Sequence, residues 1–344
     1  MKKVVLALIQ CLVTFGLLWL VFRDPEKQSV FKHAVQQSSG SWLLVGIAAY
    51  GVFELLAGVR WQILLRVQGI YISWLRLYGL LMVGLFFSLF IPGGTGGDVV
   101  KAYYLLKEAP EGKKAAGILS ILMDRLIGLL AVLILTVCIT VYRWDWLTSE
   151  PDARGFVLTG LIVLGVSFTG IAAAAIIAAF HIAAKLPPHF PFRESLVRLS
   201  VAFNLYGRAW LATGAALLIS IVAHMAHYTT FWATSKGISH WEAKTPSAIE
   251  LYSALPVIET VAALPITPGG LGTREKVFDV MLTSLVGLDR GVAATISILG
   301  YACIAFWGII GGLLYLFYRP TRNERQAIIA ETESQIQHAS DGNL

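Results

Sequence analysis

Charge is scarce in this chain. Asp, Glu, Lys and Arg make up 14% of its 344 residues, against 56% hydrophobic ones, a balance that excludes an ordinary soluble globular protein. Cysteine is scarcer still: Cys11, Cys138 and Cys303 each fall inside an apolar run, where they act as small hydrophobes. Neither a disulfide framework nor a zinc site follows from them. No Gly-x-x-x-x-Gly-Lys-Ser/Thr sequence is present to cradle a nucleotide phosphate, so any transport would be passive or proton-coupled. Asp-x-Asp and Asp-Asp-x-x-Asp, which would hold magnesium against a diphosphate, are also missing, as is a substantial soluble region. No cofactor and no metal is expected.

What the chain has in quantity is long apolar runs. They cover residues 4–22, 42–59, 75–91, 115–141, 156–180, 210–232, 249–264 and 292–318, most of them near the roughly 20 residues that a membrane-crossing helix needs. The first follows Met1-Lys2-Lys3, but Phe22-Arg23-Asp24-Pro25 offers no small-x-small cleavage site, so a retained first helix is expected. The formal net charge of +6 is spread over short loops; it speaks of topology and not of a nucleic-acid partner.

Two of the runs, the third and the seventh, lead straight into Pro-Gly-Gly: Ile91-Pro92-Gly93-Gly94-Thr95-Gly96-Gly97-Asp98 and Thr267-Pro268-Gly269-Gly270-Leu271-Gly272-Thr273-Arg274-Glu275. One copy would be read as a tight surface turn. Two copies with ionised residues behind them imply broken helices, which lipid tolerates only where protein or water satisfies the open backbone. If each break is the tip of a hairpin that returns to its own side, the cytoplasmic segments hold fifteen Lys or Arg and the opposite side eight, in keeping with the positive-inside rule. Single crossings would instead force the four-charge loop 181–209 outside.

The fold expected is therefore an all-α polytopic membrane protein. It has about six full spanning helices plus two inverted re-entrant hairpins, or about eight spans by plain hydropathy. A single transporter-like domain would occupy 1–318, with inverted repeats around 74–141 and 248–318, followed by a charged cytoplasmic tail over 319–344. Between residues 192 and 206, Phe192, Leu196, Leu199 and Phe203 would share one helical face, as in an interfacial cytoplasmic helix. Trp42, Trp61, Trp74, Trp144, Trp146 and Trp241 read as interfacial anchors. Gly160, Gly165, Gly170, Gly311 and Gly312 read as sites of close helix packing.

Ionisable residues within spans cost about 2.5–3.5 kcal/mol each on insertion scales, so each needs a partner or a task. Glu54, Arg60, Asp98, Lys101, Asp124, Arg125, Glu259, Arg274, Glu275 and Lys276 are the candidates. Helix N-termini behind the two breaks would present backbone donors and a positive dipole end, with glycine allowing close approach. A phosphate fits that description. Gly93, Gly94, Gly269 and Gly270 would line the tips, with Arg60, Asp98, Lys101, Asp124, Arg125, Glu259, Arg274 and Glu275 around them. Asp98 is equally readable as the N-cap of the helix it opens. Glu259 and Glu275 could hold Arg274, carry a proton or meet a cationic group. His224 and His227, three apart on one helix, read as polar packing or a proton step in the absence of a third metal ligand.

The ordered set Arg60-Trp61…Leu64-Leu65, Phe90-Ile91-Pro92-Gly93-Gly94…Asp98…Lys101-Ala102-Tyr103, Met123-Asp124-Arg125-Leu126-Ile127-Gly128-Leu129 and Pro268-Gly269-Gly270-Leu271-Gly272-Thr273-Arg274-Glu275 resembles the flippase-like membrane region of the lysylphosphatidylglycerol synthases, over nearly the whole chain. The resemblance implies movement of a phospholipid or related lipid between leaflets of a bacterial inner membrane, with both termini cytoplasmic. It marks Arg60, Asp98, Asp124, Arg125, Arg274 and Glu275 as the family-motif polar residues. The synthase activity that some members carry in a domain after the membrane region is not expected here, so a transporter and not an enzyme is expected. Membrane lipids are the expected partners, with a homodimer and a separate lipid-synthesising enzyme left open. Two other readings remain at this point: an enzyme acting on a polyprenyl-phosphate lipid, and a carrier for a small anion.

Overall fold

The computed structural model describes residues 38–90, 96–110, 112–180, 182–185, 193–239, 244–264, 272–289 and 291–317, with the isolated positions 32, 36, 187 and 189. The first apolar run, the tail, Phe192, Trp241 and the tip glycines Gly93, Gly94, Gly269 and Gly270 lie outside the described residues. The described elements are all helical. In chain order they are α1 (Gly40–Val67), α2 (Trp74–Phe90), α3 (Gly96–Glu108), α4 (Lys114–Tyr142), the single turn α5 (Trp144–Leu147) and α6 (Pro151–Ala179). Then come the turn α7 (Ile182–Lys185), α8 (Arg193–Arg208), α9 (Trp210–Gly237), α10 (Ala248–Ala262), α11 (Thr273–Val286) and α12 (Val292–Phe317).

Five of these, α1, α4, α6, α9 and α12, are long and apolar enough to cross a membrane. At 26–29 residues they extend about 39–44 Å, beyond the roughly 30 Å hydrocarbon core. The chain is a polytopic, all-α membrane protein. By contrast, α2 and α3 have 17 and 13 residues and form an antiparallel hairpin. Arg76 at the start of α2 donates to both oxygens of Glu108 at the end of α3, at 2.8 Å each. At the other end, Gly97 packs onto Gly84 and Ser88. The chain thus leaves the hairpin on the face where it entered. The second pair, α10 and α11, does the same: Lys244, just before α10, lies against Gly287, just after α11.

The first four helices and the last four match in length, 28, 17, 13 and 29 residues against 28, 15, 14 and 26. They also match in partners. Helix α2 packs on α12 and α10 on α4; α3 packs on α4 and α11 on α12. The two lead helices, α1 and α9, form the most extensive contact in the molecule and run antiparallel. The Ser39 amide donates to the Gly237 carbonyl at 2.9 Å at one end, and Arg60 reaches Ser220 further along. Helix α10 keeps a proline inside it, Pro256, whose carbonyl accepts from both Thr260 and Thr136 and so ties α10 to α4.

Glycine sets how closely α2 and α12 approach. A Cβ added at Gly308, Gly311 or Gly312 would meet Leu89, the Met82 backbone or Phe86, as expected for membrane helices drawn together by small residues. The same expectation fails at Gly165 and Gly170, where an added Cβ meets open space, because α6 stands at the periphery with few buried residues. Trp61 is corrected too. Helix α1 continues to Val67, so Trp61 is 1% exposed and its indole N–H donates to Ser120 instead of anchoring at an interface. Arg60, one of the fifteen Lys and Arg assigned from the sequence to cytoplasmic segments, is likewise buried inside α1. Helix α8 docks on protein through Ser200 and Asn204, which both donate to the Ala178 carbonyl, and through Tyr206, which donates to the Leu64 carbonyl.

Candidate functional site

All eight helices of the two matched halves meet at one cavity of about 330 Å³. From α1 come Tyr50, Glu54 and Arg60; from α2, Ser88; from α3, Lys101; from α4, Asp124 and Arg125. The second half contributes His227 from α9, Glu259 from α10, Arg274 from α11 and Tyr301 from α12. Among the described residues, neither α6 nor α8 lines it. Four cations and three carboxylates therefore face one space within a bundle whose outer surface is apolar. Their spacing along α1 explains how one helix supplies three of the groups: positions 50, 54, 57 and 60 recur at intervals of three and four and share a face.

Most of these charges are matched locally. Arg60 donates Nε and Nη2 to the two oxygens of Asp124 at 2.7 and 3.0 Å, and Nη1 to Ser220 Oγ at 2.7 Å. One guanidinium so joins α1, α4 and α9 with every bond charge-assisted or well directed. Arg125 grips Asp98 in the same forked way, at 2.7 and 3.0 Å, with its own side chain half exposed. Lys101 stands 3.4 Å from Asp98, its stem passing over Gly84. Glu259 lies between Arg274 Nε at 3.4 Å and His227 Nε2 at 3.6 Å. The Arg274 guanidinium also sits 5.5 Å from the Tyr301 ring centre, within cation–π range.

Of the residues named from sequence, Arg60, Lys101, Asp124, Arg125, Glu259 and Arg274 line the cavity, and Glu54 with them. Asp98 stands behind the lining, in the first turn of α3, which begins two residues earlier at Gly96. It is a counter-ion for Arg125 and Lys101 and not the helix's N-cap. Glu275 does not reach the cavity. Fully buried, it accepts the Gly272 amide at its own helix start and the Ser297 hydroxyl at 3.1 Å, while Gly272 holds φ +82, a conformation that favours glycine. Lys276 is exposed on the far side of α11. Replacing Glu275 by Ala is expected to lower thermal stability by about 2–3 kcal/mol, since two buried donors lose their acceptor; Glu275→Gln should recover part of it. Denaturation in detergent checks both.

Tyr50, Ser88 and Tyr301 were not singled out from the sequence. Tyr50 carried a signal, since it lies one turn before Glu54; Ser88 and Tyr301 carried none, being polar tips in otherwise apolar runs. The fold and its cavity define a class, the multi-pass helical membrane proteins with a charged internal site. Within that class the chain belongs to the family described as the lysylphosphatidylglycerol synthase transmembrane region, whose model matches residues 7–312. A relative, the UPF0104 membrane protein PH1989 of Pyrococcus horikoshii, is 20% identical over 332 residues, covering 92% of this chain and 97% of its own. No solved structure matches the chain.

Proposed function

We propose that this protein moves a phosphate-bearing lipid between the two leaflets of its membrane, without chemical change, the head group crossing through the cavity while the acyl chains stay in lipid. The observation that carries this reading is the cavity itself: four cations and three carboxylates brought together by both matched halves. At about 330 Å³ it lies at the low end of the roughly 300–1,000 Å³ of ligand pockets, room for a polar head but not for acyl chains. The antiparallel course of α1 and α9 supports reading the halves as an inverted pair, the arrangement in which one half rocks against the other around a midplane site. The family takes its name from a lipid synthase, which agrees with a lipid cargo. The inner membrane of a bacterium, with both termini cytoplasmic, is the setting proposed.

Reconstitution into vesicles carrying tail-labelled phospholipids, followed by quenching from outside, tests it. The unmutated chain is expected to speed leaflet exchange and Arg274→Ala to slow it at least tenfold; because that change also takes the counter-ion from Glu259, Arg274→Ala with Glu259→Gln, which removes both charges, should be equally slow while keeping more of the thermal stability. Saturable uptake of a water-soluble anion without lipid exchange would replace the lipid with a small solute, and a covalently altered lipid would replace transport with catalysis.

A further inference from the structure

With Asp98 counted, the cavity's charges balance in sum but are not all paired in contact. Arg60 is matched by Asp124, Arg125 by Asp98 and Arg274 by Glu259, which leaves Glu54 and Lys101. Glu54 is 5% exposed, and among the described residues no Lys, Arg or His comes within ion-pair distance of its carboxylate. Its neighbour is the Tyr50 hydroxyl, one turn earlier on the same face. Lys101, 9% exposed, lies 5.5 Å from the Trp61 ring centre and, as ion-pair partner, has a share of Asp98, both of whose oxygens are held closer by Arg125. One acidic and one basic group, each under-matched, thus face the same space from α1 and α3.

Lys101, Arg60 and Arg125 act on Glu54 across the cavity without touching it, and a buried carboxylate with no direct ion pair is unfavourable, inside a membrane more so. A head group bearing only negative charge would suit Lys101 and be repelled by Glu54. One that carries a phosphodiester and a primary ammonium satisfies both, and the ammonium's N–H donors suit a carboxylate with a hydroxyl beside it. Resting on the lipid-transport reading above, we propose that the cavity selects a zwitterionic head group of the phosphoethanolamine type, its phosphate at Lys101 and its ammonium at Glu54 and Tyr50.

The test uses the full chain in vesicles with tail-labelled phosphatidylethanolamine or phosphatidylglycerol at trace level. The ethanolamine lipid is expected to exchange at least tenfold faster. Glu54→Gln, which keeps the shape and removes the charge, should erase that preference by slowing the ethanolamine lipid alone, and Glu54→Asp should restore part of it. Lys101→Gln should slow both lipids. Millimolar glycerophosphoethanolamine should compete with the ethanolamine lipid; if instead it is itself taken up saturably while no lipid exchanges, the ligand is the soluble compound. Equal rates for the two lipids, both dependent on Arg274, would overturn the selection and leave transport standing. An unchanged preference in Glu54→Gln overturns it also, since a proton would then be the carboxylate's partner. Exchange no faster than in protein-free vesicles would overturn the transport reading beneath it.

Discussion

Arg60→Leu is expected to destabilise the protein severely, and adding Asp124→Leu to restore most of what was lost. The Arg60 guanidinium spends three nitrogens on two partners, 64 and 160 residues away in the chain, and both charged groups are under 10% exposed. Removing Arg60 alone leaves the Asp124 carboxylate buried without a counter-ion, which costs about 3–5 kcal/mol. Removing both replaces a desolvated ion pair with apolar side chains in an apolar surrounding, a change that is often near neutral. Thermal denaturation of the four members of the cycle in detergent gives the coupling directly. Additive losses, with the double variant worse than either single one, would mean that the pair is not the unit of stability described here. Transport should not return in the double variant, because the cavity wall has lost a cation and a carboxylate together.

That pair also shows what a reader of the sequence can and cannot see. Arg60 and Asp124 were each recognisable as costly residues in apolar runs, because the price of a charge in a membrane depends on local composition. Their pairing was not recognisable. Spanning helices are apolar on every side, so hydropathy locates α1, α4, α6, α9 and α12 without saying which face of each turns inward. Arg60 illustrates the point twice, as a candidate site residue that the cavity retains and as a charge assigned to a cytoplasmic segment that the extra turns of α1 bury. The hairpins were legible through proline and glycine followed by charge, whereas Trp61 was misplaced because the helix outlasts its apolar run. Glu275 stood in a motif with Arg274, yet adjacent residues on a helix point about 100° apart. Arg274 faces the cavity and Glu275 the helix start.

The α2–α3 hairpin offers three glycines whose conversion to alanine should give three different outcomes. At Gly97 an added Cβ would run into the Gly84 carbonyl and Ser88 Oγ. A backbone carbonyl within a helix cannot swing aside, so α3 must move away from α2, at about 1–3 kcal/mol or more for overpacking. That displacement carries Asp98 and Lys101 with it, and with them the Arg125 contact, so Gly97→Ala is expected to lower stability and abolish transport together. At Gly84 the added Cβ meets the Lys101 stem, 2.6 Å from Cε and 2.7 Å from Cγ. A flexible side chain can yield, so Gly84→Ala should change stability little while moving the ammonium and reducing transport. At Gly79 nothing stands within 4 Å, and Gly79→Ala should leave both measurements unchanged. Loss of stability and transport in Gly79→Ala, or neither in Gly97→Ala, would mean that helix flexibility and not the close approach of α2 and α3 is what these glycines supply. The order Gly97, Gly84, Gly79 in transport, with stability falling only at the first, is what a hairpin that holds a cation in place requires.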